Sequence, residues 1–197
     1  MWFKNLQVYR FTKPFELDVA SLGEQLSEQV FEPCSSQQPM RSGWVAPLGR
    51  HGSELVHVTD GYMMICAKRQ EKLLPAAVVN EALEEKILAI EESEARKLPR
   101  KERLTLKDEV IFDLLPRAFA KSSLVFGYIS PRDNLLVINS ASASRAEAFI
   151  DDLRDALGTL SLIPLTAKNL PIDMMTRWVQ TGQPDANFAL GEECELR

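Results

Sequence analysis

At Pro75 the hydrophobic period of this 197-residue chain switches from two to nearly four, and that switch limits the possible folds more than any other feature. Before it, Leu55 to Val58 and Tyr62 to Ala67 alternate in strand fashion around Thr59-Asp60-Gly61. Asp-Gly is a strong hairpin signal, because both central residues of a tight two-residue turn need positive φ. After Pro75, residues Val78, Val79, Ala82, Leu83, Ile87 and Ile90 fall on one helical face. Such a chain must join a sheet to a helical segment.

The flanking sequence repeats this pairing. Trp2 to Phe11 reads as an opening strand, and Asp18 caps a helix carrying Val19, Leu22, Leu26 and Val30 that Pro33 ends. Gly43 to Leu48 reads as a short strand. Pro99 interrupts the helix that begins after Pro75, with Glu92 and Arg96 as an i,i+4 pair. Thr105 with Asp108 resembles the next helix start, with Leu106, Val110, Ile111, Leu114 and Leu115 buried, and Pro116 stops that helix. Leu124 to Ser130 and Leu135 to Asn139 read as strands around a Pro131-Arg132-Asp133-Asn134 turn. Ser144-Arg145-Ala146-Glu147 fits a capping box, Gly158 a C-terminal cap, Leu160 to Leu165 a returning strand and Met174 to Thr181 a short helix. The expectation is an α+β protein with two β-hairpin/helix lobes flanking a helical centre. The N-terminal lobe spans 1–74, the helical centre and tip 75–123, and the second lobe 124–197. Glu192 to Arg197 complete no pattern, so the second lobe is expected to be truncated.

Charge is distributed unevenly along this frame. The whole chain carries 23 Lys and Arg against 28 Asp and Glu, yet Arg96 to Lys121 holds eight basic and four acidic residues. One basic stretch in an acidic protein concentrates positive potential on a single surface, where a polyanion can dock. Arg96, Lys97, Arg100, Lys101 and Arg103 cluster around Pro99, and Lys68, Arg69 and Lys72 form a second group. If the hairpin packs near the helix break, the two groups flank one polyanion. Such contacts reach phosphates, with strong salt dependence and little sequence preference. The competing interpretation is a solvated helix face. No recognition helix and no obvious aromatic stacking platform is legible.

Other chemistry has little support. Gly52-Ser53-Glu54 lacks the second glycine of a nucleophile elbow, no phosphate loop is present, and His51, Glu54 and His57 lack metal-site spacing. Asp108, Glu109 and Asp113 do not share one helix face. The chain therefore reads as a non-enzyme with no metal and no cofactor. Cys34, Cys66 and Cys194 are odd in number and unpaired in spacing, which points to reduced thiols, and neither a leader nor a membrane-spanning run is evident. A cytoplasmic location is expected. Phe119, between Arg117 and Lys121, is either folded into the core or an exposed anchor for another subunit.

Ordered blocks then identify a resemblance. Trp2 to Leu6 with Val8-Tyr9-Arg10, Gly43 to Pro47, Ile65 to Lys68, Leu74-Pro75, Ala95 to Leu98, Leu106 to Val110, Leu114 to Phe119 and Ser140 to Ser142 together resemble the bacterial recombination-associated protein RdgC family. The resemblance implies a nucleoid-associated, homodimeric ring around DNA. It implies binding to double and single strands without marked sequence preference, and restraint of the RecA recombinase. On it, Arg96, Lys97 and Arg117 are candidates for the hole or its rim, and Phe119 for the tip contact closing the ring. The family extends beyond the length of this chain. The alternative is a protein-interaction module whose basic helix docks an acidic partner.

Overall fold

The computed structural model describes residues 3–191 and 193. Trp2, Cys194 and the residues completing the chain end, about which expectations were stated, lie outside them. In chain order the elements are β1 (Leu6–Phe11), α1 (Val19–Ser27), β2 (Met40–Val45), β3 (His57–Thr59), β4 (Tyr62–Leu73), α2 (Ala76–Glu94) and α3 (Arg100–Leu114). Then follow β5 (Phe119–Ser130), β6 (Leu135–Asn139), α4 (Ala143–Leu157), β7 (Leu162–Pro164) and α5 (Pro171–Thr181). The strands form one antiparallel sheet in the order β2-β4-β5-β6-β1-β7, with β3 paired to β4.

The α+β class holds, but the two separate lobes do not. β4 and β5 pair over eleven positions, from Met63 with Ile129 to Leu73 with Phe119, and so fuse both hairpin segments into a single sheet. The helical segment is an insertion between these two neighbouring strands.

Local chemistry sets the elements. The Asp18 carboxylate accepts from the Ser21 amide at 2.8 Å and starts α1. Asp60 and Gly61 take φ of 51° and 82°, and Thr59 pairs with Tyr62, as a two-residue hairpin turn requires. Four residues join Ser130 to Leu135, and Asn134, at φ 58°, donates its side-chain amide to the Phe11 carbonyl at 2.8 Å. Some boundaries differ from expectation. α1 ends at Ser27 rather than at Pro33, β2 begins at Met40, α4 is capped by Ser142 rather than Ser144, and α3 starts at Arg100, directly after Pro99.

The sheet buries one face. Tyr9, Phe11, Trp44, Met63, Ile65, Ala67, Val125, Ile129, Leu136 and Ile138 alternate along their strands and pack against Leu22 and Leu26 of α1 and Ala146, Phe149, Ile150 and Leu153 of α4. Trp44 meets Phe149 edge to face at 5.3 Å. Gly127 leaves room for that ring: a Cβ there would lie 2.8 Å from Phe149 Cζ. The core residues of α1 and α4 all lie on that buried face, while the segment from Phe31 to Ser36 crosses the β2–β4 end of the other, over Lys68, Gln70 and Lys72. The other face bears Leu6, Val8 and Arg10 on β1, with Tyr62, Met64, Cys66 and Lys68 of β4 and Leu124, Phe126 and Tyr128 of β5.

Candidate nucleic-acid interface

The helical hairpin begins where the sheet stops. Leu73 and Phe119 form the terminal pair of β4 and β5. From this root α2 runs 19 residues, a length of about 28 Å at 1.5 Å per residue, and α3 returns. Val79, Leu98, Leu106, Val110 and Leu115 are buried as the hairpin folds on itself, while Ala82, Leu83, Ile87 and Ile90 are half-buried and Val78 is exposed. Lys86 Nζ crosses to Asp113 at 2.6 Å. Lys72 Nζ donates to the carbonyls of Leu115 and Ser36 at 2.8 and 2.7 Å, fastening the root.

The distal turn is an ion-pair frame. Ala95, at φ 48°, takes the chain out of α2, so Arg96 leaves the helical path and the expected pairing with Glu92 does not form. Arg96 instead donates to Glu94 at 2.6 Å and Glu102 at 2.8 Å. These two hydrogen bonds raise its pKa further and hold it charged. Glu91 accepts from the Leu98 amide at 2.9 Å and from Arg103 at 3.0 Å, while Arg103 Nε donates to the Leu98 carbonyl at 3.1 Å. The Leu98 amide, followed by Arg103, draws the Glu91 carboxyl below its ordinary value. Arg96 and Arg103 are thus committed to local carboxylates. Lys97, Arg100 and Lys101 are exposed and, among the described residues, have no ion-pair partner.

The remaining predicted residues lie elsewhere. Arg117 and Phe119 sit at the root, about 20 Å or more from Arg100 along α3. Phe119 opens β5 and is 84% exposed, opposite Leu73 at 47%. Of the two readings of this ring, the core one fails. Lys68 and Arg69 are adjacent in β4 and therefore point to opposite faces. Lys68 lies over the Phe31 ring at 4.4 Å on the side away from α1 and α4, whereas Arg69 lies on the helix side, 4.0 Å from Glu71 and near Asp152. Burial raises the Asp152 carboxyl, against a Ser42 hydrogen bond of 2.8 Å and the Arg69 charge. The hairpin separates the β4 cations from the distal cluster, so the two groups do not flank one groove.

The surface also has a charge polarity that the sequence alone did not reveal. The layer of α1 with its caps and α4 carries Asp18, Glu24, Glu28, Glu147, Asp151, Asp152 and Asp155 against Arg145 and Arg154. Strand positions on the other side carry Arg10, Arg41, Lys68 and Lys72 and no carboxylate, although Arg41 is paired with Glu32 and Lys72 is held by the carbonyls of Ser36 and Leu115. A polyanion is therefore repelled from the helix layer.

Comparison with known proteins supplies the frame for these features. The family model described as "Putative exonuclease, RdgC" matches residues 1–197. The chain belongs to the RdgC family. It is 49% identical over 197 residues to the recombination-associated protein RdgC of Aeromonas hydrophila, and 46% identical to that of Tolumonas auensis. The RdgC of Psychromonas ingrahamii is 43% identical over 196 residues. Each match covers 100% of this chain and 65% of the relative. The word exonuclease in the family description and the word recombination in the relatives' names point to different chemistries. Among the described residues, no three His, Cys, Asp or Glu side chains gather as a metal site, and Asp113 of the α3 carboxylates is bound to Lys86. No helix among the described residues is long and apolar enough to cross a membrane.

Proposed function

We propose that this chain is a sequence-independent DNA-binding protein, cytoplasmic and nucleoid-associated, that acts without cleaving its ligand. The observation that carries this reading is the distal turn of the hairpin. In a protein of net charge −5, Lys97, Arg100 and Lys101 project from its end free of the carboxylates that occupy Arg96 and Arg103. Exposed cations on a rigid helical arm suit phosphates and carry no base-reading pattern. Membership in a family whose relatives are named recombination-associated supports DNA as the polyanion.

The family resemblance extends the proposal to a homodimeric ring that encloses double- or single-stranded DNA and restrains the RecA recombinase. Arg117 at the root belongs to this proposed DNA-contacting set, with Arg96 and Arg103 as supports for the distal cations, whereas Lys68 and Arg69, on opposite faces in the middle of β4, cannot share one DNA path with them. Phe119, with Leu73 across from it, is the proposed anchor between subunits, because two large apolar side chains exposed side by side would gain by burial in a partner, where aromatic residues dominate the binding energy.

A mobility-shift series with duplexes of unrelated sequence, with and without a divalent metal, tests the reading. Shifts of similar strength that fade as salt rises, with intact DNA recovered, are expected. Metal-dependent shortening of the DNA would contradict it in favour of the nuclease. Absence of any shift at low salt would replace it with the protein-interaction module, its basic helix docking an acidic partner.

A further inference from the structure

We propose that the face of the sheet away from α1 and α4 is a separate platform for single-stranded nucleic acid, on which unpaired bases stack against Tyr62 and Tyr128. This inference rests on the nucleic-acid reading above but concerns a different surface. Three rings meet there edge to face: Tyr128 lies 5.4 Å from Phe3 and 5.7 Å from Tyr62. Tyr62 and Tyr128 line a cavity of about 350 Å³ with Met64 and Val137, and its polar groups are His57, Thr59, Asp60, Ser130 and Asp133, with the Ser130 hydroxyl donating to one Asp133 oxygen at 2.7 Å. An apolar cavity with a few polar groups is the general form of a small planar-ligand site.

The occupant follows from chemistry and charge. An unpaired base offers a π-face to an aromatic ring, whereas in a duplex that face is covered by its stacked neighbours. The carboxylates of Asp60 and Asp133 accept from exocyclic amino groups of bases but repel phosphates, so a base, and not the backbone, belongs at that end. The phosphates have their own partners further out. Arg10 on β1 is exposed and, among the described residues, has no ion-pair partner, and Lys68 stands on β4, three strands away. The register sets Arg10 level with Tyr62, six residues along β4 from Lys68, so at about 4.8 Å per strand and 3.3 Å per residue the two cations are about 24 Å apart, and Tyr128 lies in the rows between them. The helix layer, rich in carboxylates, excludes the opposite face as an alternative path for the strand.

The experiment compares a labelled oligodeoxycytidine of roughly 15 nucleotides, whose bases carry an exocyclic amino group, with a duplex of random sequence, using the wild-type chain, Tyr62→Ala/Tyr128→Ala and Tyr62→Phe/Tyr128→Phe. Stacking of one or two bases predicts a loss of about tenfold or more in single-strand affinity for the alanine pair. Duplex affinity is expected to stay unchanged, reporting that the protein is folded, and the phenylalanine pair is expected to bind the single strand as the wild type does. If duplex and single-strand affinity fall together, or neither changes, the platform is refuted and the distal DNA surface stands. If the wild type binds neither probe, both readings fall.

Discussion

Replacing Lys97, Arg100 and Lys101 together by alanine isolates the free cations of the hairpin from those held in ion pairs. Each phosphate neutralised on a duplex contributes about 0.9 to the slope of log affinity against log salt. Losing three contacts per protomer therefore flattens that slope by about 2.7 for each protomer on the DNA. Between roughly 50 and 200 mM salt, the wild type should lose about 40-fold more affinity than the variant for each protomer engaged. Fluorescence anisotropy of a labelled duplex across a salt series reads this directly. Because the three side chains are exposed and lack ion-pair partners among the described residues, stability should change by no more than about 0.5 kcal/mol. Arg103→Ala is the contrast. It breaks the Glu91 and Leu98 contacts that shape the turn, so it should lower thermal stability more than it flattens the slope. An unchanged slope in the triple variant, with DNA still bound, would refute the assignment of the turn as a phosphate contact.

Phe119→Ala should leave the protomer's stability within about 0.5 kcal/mol, since the ring is 84% exposed. Sedimentation should nonetheless find dimer affinity about 30-fold weaker if the ring is a hot spot worth about 2 kcal/mol; an unchanged dimer fraction would remove it from the interface. Gly43→Ala should destabilise by about 1–3 kcal/mol in denaturant melts. A Cβ there would lie 2.6 Å from Phe31 Cα, and backbone cannot rotate away as the end of a side chain can. Asp152→Asn should raise stability near neutral pH. The folded carboxyl sits above its ordinary 3.8, so its stabilising contribution is complete below that pH and lost as pH rises through the folded value. The variant's advantage should therefore vanish in strong acid, and an advantage that grows on acidification would contradict the burial argument.

Signals confined to a few residues were legible in the sequence. Asp18, the Asp60-Gly61 turn and Gly158 each act on a backbone group within three or four positions, and all three stand where expected. The start of α3 was misplaced because Pro99 is its boundary without offering a side-chain oxygen, while Thr105 and Asp108 imitate a cap. In fact the Thr105 hydroxyl bonds back to the Lys101 carbonyl inside the helix, at 3.4 Å. The single sheet was hidden by distance, because β4 finds β5 only after the whole helical insertion has been made. Arg96 shows the same limit at the site. Glu102 becomes its partner because Ala95, a residue that rarely takes positive φ, turns the chain back. The opposite directions of Lys68 and Arg69 followed from strand alternation, but which side the helices cover depended on long-range packing. For that reason the aromatic face of Tyr62 and Tyr128 could not be read in advance.

Lysine footprinting reads whether DNA is held at the distal turn of the α2–α3 hairpin. The protein would be acetylated briefly with and without saturating duplex, and modification at each lysine read by mass spectrometry. Strong protection of Lys97 and Lys101 is expected, with Lys86, fastened to Asp113 along the arm, reacting as before. Equal modification of Lys97 and Lys101 in the free and DNA-saturated protein would contradict this placement of the DNA.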